Sequence, residues 1–114
     1  LRLPRALPYG LAMKMALTAK PIGAELAHQH GLVTDLTEPG GAVQAALALA
    51  DQIARNAPLG LKASKTLIRE MQGRTEDEFW ALNRQLIDEV FQSADAVEGP
   101  KAFAEKRAPN WQGK

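Results

Sequence analysis

Cysteine is absent from all 114 residues, which excludes disulfide staples and thiolate metal ligands and permits a reducing compartment. Nowhere does an apolar run approach the roughly 18 to 20 residues that cross a bilayer. The opening "LRLPRALPYG" lacks a signal-peptide pattern, so the expected location is the cytoplasm, with no membrane partner. Charge of one sign is also lacking: a formal net charge of +1 leaves no electrostatic footprint for nucleic acid. Neither GxGxxG nor GxxxxGK occurs, and the glycines stand singly or in the Gly40-Gly41 turn, so there is no phosphate-cradling loop. No internal repeat and no low-complexity stretch is present. His28 and His30, two residues apart on a helix, point in different directions and cannot share a metal ion. Ser64, His28 and Asp35 form a triad only on paper, with nothing in their local sequence to support it. The carboxylates lie on charged helix faces, where solvation is the default. Local chemistry alone marks no catalytic centre.

What is present is a helical protein of ordinary composition. The apolar fraction of 46% is enough for a core, and the length suits one domain or a piece of one. A start on Leu1 rather than Met suggests a piece of something longer. Charge is unevenly distributed: Thr75 to Glu98 holds seven acids against one base, and Gly99 to Lys114 holds four bases against one acid. A basic tail after an acidic helix is mostly a matter of solubility, and otherwise a place to meet an anion or another subunit.

Periodicity predicts five or six helices. Gly10 to Thr18 turns Leu11 and Met15 inward, and Met13 and Leu17 with them. A short helix over 23–30 follows Pro21 and stops at Gly31. "LVTDL" reads as a short strand or an extended connector, and "TEPGG" as a turn. From Gly41 to Arg55 the set Val43, Ala46, Leu47, Ala50, Ile53 and Ala54 makes an amphipathic stripe. Asn56 ends that helix, and Pro58 opens the next, which runs to about Gln72 and half-buries Leu61, Leu67, Ile68 and Met71. "TEDE" at Thr75 to Glu78 is a capping box before a long helix with Phe79, Leu82, Leu86 and Val90 on one stripe, widened by Trp80, Ile87 and Phe91. Burial of such side chains against a partner is worth about 1.5 to 3 kcal/mol each, so association with itself or with a missing N-terminal portion is expected. Ser93 caps a following turn, and a final helix is expected to start at Pro100 and end at Pro109.

In that last helix Phe103 and Lys106 stand three apart on one face, with Arg107 beside them. A ring stacks on a flat base, and an ammonium meets a phosphate as a point charge. Alone, the pair is a weak signal, since most such pairs are a core anchor beside a solvated charge.

The order of motifs carries more. "RLPR" precedes "AMKMALTAKPIGAELAHQHGLV", then an alanine-rich helix, then "NAPLGLKASK", then "SADAVEGPKAFAEKRAPNW". Over essentially its whole length this series resembles the C-terminal part of the enoyl-CoA hydratase/isomerase, or crotonase, superfamily. One departure is Ala19-Lys20, where the family usually has glycine, so a different cap is expected there.

The resemblance implies a mainly α chain over residues 1–114: the helical CoA-binding and oligomerisation region of a crotonase-like α/β fold, with the N-terminal ββα spiral core absent from it. It implies an acyl-CoA substrate, no cofactor apart from the substrate's own CoA, and a homo-oligomer, a trimer or dimer of trimers. It carries Phe103 and Lys106 over as the residues flanking the adenine and the phosphate of CoA. The implied reaction is hydration of a 2-enoyl-CoA through a thioester enolate held by two amide donors, with carboxylates moving the proton. Those groups lie upstream of "RLPR" in the family, so the chain by itself is expected to be inactive. The same tail serves isomerases, thioester hydrolases and carbon–carbon lyases. A free-standing helical oligomerisation module is the alternative outside enzymology.

Overall fold

The computed structural model describes residues 2–114. Among them are seven α-helices and no strand: α1 (Leu3–Ala6), α2 (Tyr9–Thr18), α3 (Ala24–Gln29), α4 (Ala42–Ala54), α5 (Pro58–Glu70), α6 (Glu76–Phe91) and α7 (Ala94–Ala104). The helix beyond the expected five or six is α1, a single turn with Pro4 at its start, closed by the Leu7 amide donating to the Leu3 carbonyl at 3.0 Å. The chain divides into two compact units, Leu1–Leu47 and Ala48–Lys114.

In the first unit, α1 packs against α2, and Leu7, Ala12 and Ala27 are buried. Leu11 and Met15 are half-buried as their spacing predicts, but Met13 and Leu17 are exposed. A ten-residue helix turns only one narrow face inward, and Leu17 lies well round from Met15. At the end of α2, Ala19 takes the left-handed conformation (φ 52°) that glycine usually occupies, so the geometry of the cap persists without the glycine. The end of α3 is a Schellman motif: the Gly31 amide donates to His28 and the Leu32 amide to Ala27, at 3.0 and 2.8 Å, with Gly31 at φ 72°. "LVTDL" is a connector with no strand pairing among the described residues. The Gly41 amide closes the following turn on the Glu38 carbonyl at 2.9 Å. Helix α4 forms where its stripe predicts, yet Val43, Leu47 and Ile53 on that stripe are exposed.

In the second unit, α5 packs on α6 and α6 meets α7. The Asn56 side-chain amide donates to the Gln52 and Ile53 carbonyls at 3.0 and 3.2 Å, covering the C-terminal end of α4. Pro58 then opens α5 without wasting an N–H. Ala63 is buried, Leu61 and Leu67 are half-buried, and Phe79, Leu82, Leu86 and Val90 form the half-buried stripe of α6. Ile68 and Met71, expected to be partly covered, are exposed, as are Trp80 and Phe91. Trp80 makes an edge-to-face contact with Phe79 (centroids 5.5 Å apart) and donates its indole N–H to Glu76 at 3.2 Å.

The capping box forms in full. The Thr75 hydroxyl accepts from the Glu78 amide at 3.3 Å, and the Glu78 carboxylate accepts from the Thr75 amide at 2.8 Å. The Thr75 amide and then its hydroxyl hold the Glu78 carboxyl below its ordinary value. Thr75→Ala is expected to destabilise the full-length protein by about 1 kcal/mol, the usual worth of an N-cap. Urea denaturation with an unchanged midpoint would mean that α6 does not depend on this cap.

Candidate ligand-binding site at the C-terminal tail

Ser93 both ends α6 and starts α7. Its hydroxyl donates to the Val90 carbonyl at 2.6 Å and accepts from the Ala96 amide at 3.1 Å. Helix α7 therefore begins a full turn and more before Pro100, and Pro100 lies inside it rather than at its start. The proline leaves the Ala96 carbonyl without its helical donor, a cost that interior prolines ordinarily turn into a break. Bonds to the tail hold the helix together on the other face.

Those bonds form an antiparallel strap. The buried carboxylate of Asp95 accepts the Gln112 amide at 2.7 Å and the Gly113 amide at 2.9 Å. One turn along, Glu98 accepts the Asn110 amide at 2.7 Å. The Ala94 amide donates to the Lys114 carbonyl at 2.7 Å. Trp111 lies against Gly99, where an added Cβ would sit 3.3 Å from the ring's Cη2, and its indole N–H donates to the Arg55 carbonyl at 2.7 Å. A side chain at 99 would press on the ring, so the close seat of Trp111 favours glycine there. The two carboxylates thus serve as acceptors for the tail, against the expectation of solvated faces. Nothing local to the two carboxylates signals these partners, which lie 12 to 18 residues further on.

Arg107 is drawn into the same structure. Its guanidinium forks onto Glu98, with Nη2 3.0 Å from Oε2, and Nε donates to Glu105 at 2.6 Å. The Arg107 fork, and then the Asn110 amide, hold the Glu98 carboxyl at about 2. Glu98 and then Glu105 push the Arg107 guanidinium above its ordinary value. A carboxyl depressed in this way contributes its full share of stability above its ordinary pKa of 4.5, and that share is lost as pH falls toward about 2. At neutral pH the clamp is fully charged.

The single helical face expected for Phe103 and Lys106, in a helix ending at Pro109, does not form. The helix ends at Ala104, five residues before Pro109, and Lys106 lies beyond it in the left-handed conformation (φ 53°). The Lys106 amide donates to Phe103 and the Arg107 amide to Ala102, at 3.2 and 3.0 Å, the Schellman pattern also seen at Gly31. A side chain in this conformation costs about 1 kcal/mol relative to glycine. Phe103 therefore sits on the last helical turn and Lys106 on the reversal after it, so a shared helical face is not what links them. Phe103 is 87% exposed, and Lys106 is exposed as well. Lys106 has no ion pair among the described residues, whereas Arg107, expected to join the cationic face, is committed to two carboxylates. A recess of about 210 Å³ opens on α7 beside Val97, Glu98, Lys101 and Asn110, and neither Phe103 nor Lys106 lines it.

Among the described residues no group of three or more His, Asp or Glu side chains is arranged to hold a metal ion. No helix among them is long and apolar enough to cross a membrane. The tail thus exposes an apolar ring and an ammonium with no ion pair among the described residues.

Comparison with known proteins gives a consistent result. The model of the enoyl-CoA hydratase/isomerase family matches residues 1–114. Over 111 residues the chain is 45% identical to an enoyl-CoA hydratase, EchA19, of Mycobacterium tuberculosis, covering 97% of this chain and 42% of that protein. It is 36% identical to a carnitinyl-CoA dehydratase of Proteus mirabilis, covering 100% of this chain and 45% of the relative. A crystal structure of an enoyl-CoA hydratase from Mycobacterium tuberculosis H37Rv superposes with a TM-score of 0.95 at 47% identity, covering 99% of this chain and 45% of that one. The chain thus spans rather less than half the length of these relatives.

Proposed function

The chain belongs to the enoyl-CoA hydratase/isomerase family, and from that premise we propose that it forms the nucleotide-binding and subunit-contact region of an acyl-CoA hydratase or dehydratase. The proposed reaction is reversible addition of water to a 2-enoyl thioester. The relatives named for hydration and for dehydration support this, being the two directions of one chemistry. This chain's own part is to hold the substrate's CoA, with the family's oxyanion donors and proton-transfer carboxylates supplied by residues outside these 114. The exposed apolar side chains of α4 and α6, Val43, Leu47, Trp80 and Phe91 among them, fit burial within a homo-oligomer.

The observation that carries the reading is an exposed Phe103 followed three residues later by an exposed Lys106 with no ion pair among the described residues, next to an Arg107 held by Glu98 and Glu105. The ring offers a stacking face to adenine, and the ammonium meets phosphate. In the full-length protein, Lys106→Ala is expected to raise the KM for acyl-CoA about tenfold, because a hydrogen bond to a charged group is worth roughly 1.5 to 3 kcal/mol. The contact is the same in the ground state and the transition state, so the loss falls on KM rather than kcat. A pantetheine thioester, which lacks the nucleotide, should be affected far less. Equal loss on both substrates would make Lys106 a structural residue and end this reading.

A further inference from the structure

We infer that Arg107, through its ion pair with Glu98, is a positioning residue that presents Lys106 to the phosphate of the substrate. The inference rests on the proposed CoA contact and concerns how that contact is preorganised.

Lys106 occupies a backbone conformation that favours glycine, and the equivalent reversal after α3 does use glycine, at Gly31. Two backbone bonds close the turn, but the same two bonds close it at Gly31 without any clamp. What differs at Lys106 is its flanks. Glu105 and Arg107, on either side of it, are joined to each other at 2.6 Å, and Arg107 is forked onto Glu98 nine residues back. Glu98 is itself fixed by the Asn110 amide, so the fork ties the reversal to both the helix and the strap. A planar guanidinium holding two carboxylates fixes orientation as well as charge, as a lysine there could not. The arrangement has a second effect. The two carboxylates nearest to Lys106 in the sequence, Glu105 and Glu98, are both occupied by Arg107, which leaves the lysine for an external anion. A binding group held in place before the ligand arrives loses less freedom on binding.

The test removes the clamp without changing net charge, by combining Glu98→Gln with Arg107→Gln in the full-length protein. Affinity is read by calorimetry with free coenzyme A and, separately, with pantetheine. The clampless protein is expected to bind coenzyme A roughly three- to tenfold more weakly, a loss bounded by that of Lys106→Ala if the clamp acts through the lysine. Added to Lys106→Ala, clamp removal should cost nothing further, and pantetheine affinity should stay constant throughout. Thermal unfolding of each variant identifies general unfolding, and Arg107→Lys, which keeps the charge but not the fork, should recover only part of the loss. Equal losses with and without Lys106, or equal losses for coenzyme A and pantetheine, would overturn the inference. If Lys106→Ala alone leaves coenzyme A affinity unchanged, the CoA contact itself fails, and that outcome is distinguishable from failure of the clamp.

Discussion

Replacing Asp95 by alanine is expected to cost the full-length protein about 3 to 5 kcal/mol, since two hydrogen bonds to one charged acceptor are lost together. The residue is 4% exposed, and its two carboxylate oxygens take the amides of Gln112 and Gly113 at 2.7 and 2.9 Å. Alanine would take the charged acceptor from both amides at once, and hydrogen bonds to a charged group are the stronger kind. The strap should then detach from α7 as a unit, because Asn110, Gln112, Gly113 and Lys114 are bound in register along a single helix face. Asp95→Asn separates charge from shape: its one remaining oxygen can serve one amide, while its NH2 faces the other donor, so roughly half the loss is expected. Urea denaturation measures the first effect, and protease cleavage within the last ten residues reports the second. A loss below about 1 kcal/mol for Asp95→Ala would mean that the tail is held by something other than this carboxylate.

Features with a local cause are legible in the sequence. A capping box needs four consecutive residues, and Thr75 to Glu78 contain all of it. Gly31 and Pro58 act within one turn of themselves, and the α6 stripe follows from the helical period alone. Features that depend on a distant partner are not legible. Pro100 was expected at a helix start because that is where its missing N–H costs nothing. Its actual interior position is tolerated by a helix capped at Ser93 and bound along its length to residues 12 to 18 positions away. Lys106 was assigned to a helical face by its spacing from Phe103, yet helical spacing means little once the chain reverses. The carboxylates of Asp95 and Glu98 gave no local sign of their amide partners. As for α4, its periodicity located the helix but could not say whether its stripe would be covered, and Val43 and Leu47 are exposed. The assignment of Phe103 and Lys106 to CoA came from family resemblance, and local chemistry by itself left it undecided.

Trp111→Ala is expected to destabilise the full-length protein by about 2 to 4 kcal/mol, toward the lower part of the range for truncating a large buried aromatic because the ring is only half-covered. Two effects contribute, and they can be separated. The indole N–H donates to the Arg55 carbonyl, 56 residues earlier, at 2.7 Å, and so ties the tail to the chain just after α4. Trp111→Phe keeps most of the ring and loses this donor, for an expected cost of about 1 kcal/mol. The remainder is packing of the ring on Gly99, where a Cβ would lie 3.3 Å from Cη2. Gly99→Ala should therefore push the ring out and destabilise the wild-type protein, even though alanine is the better helix former by about 1 kcal/mol. With Trp111 already replaced by alanine, the clash is gone and the propensity gain should appear, so the same Gly99→Ala change becomes neutral or stabilising. That reversal of sign is the decisive measurement, because residues in contact couple and independent ones add. Equal effects of Gly99→Ala in both backgrounds would mean that Trp111 does not depend on Gly99 for its seat, and that the strap is held by its amide bonds alone.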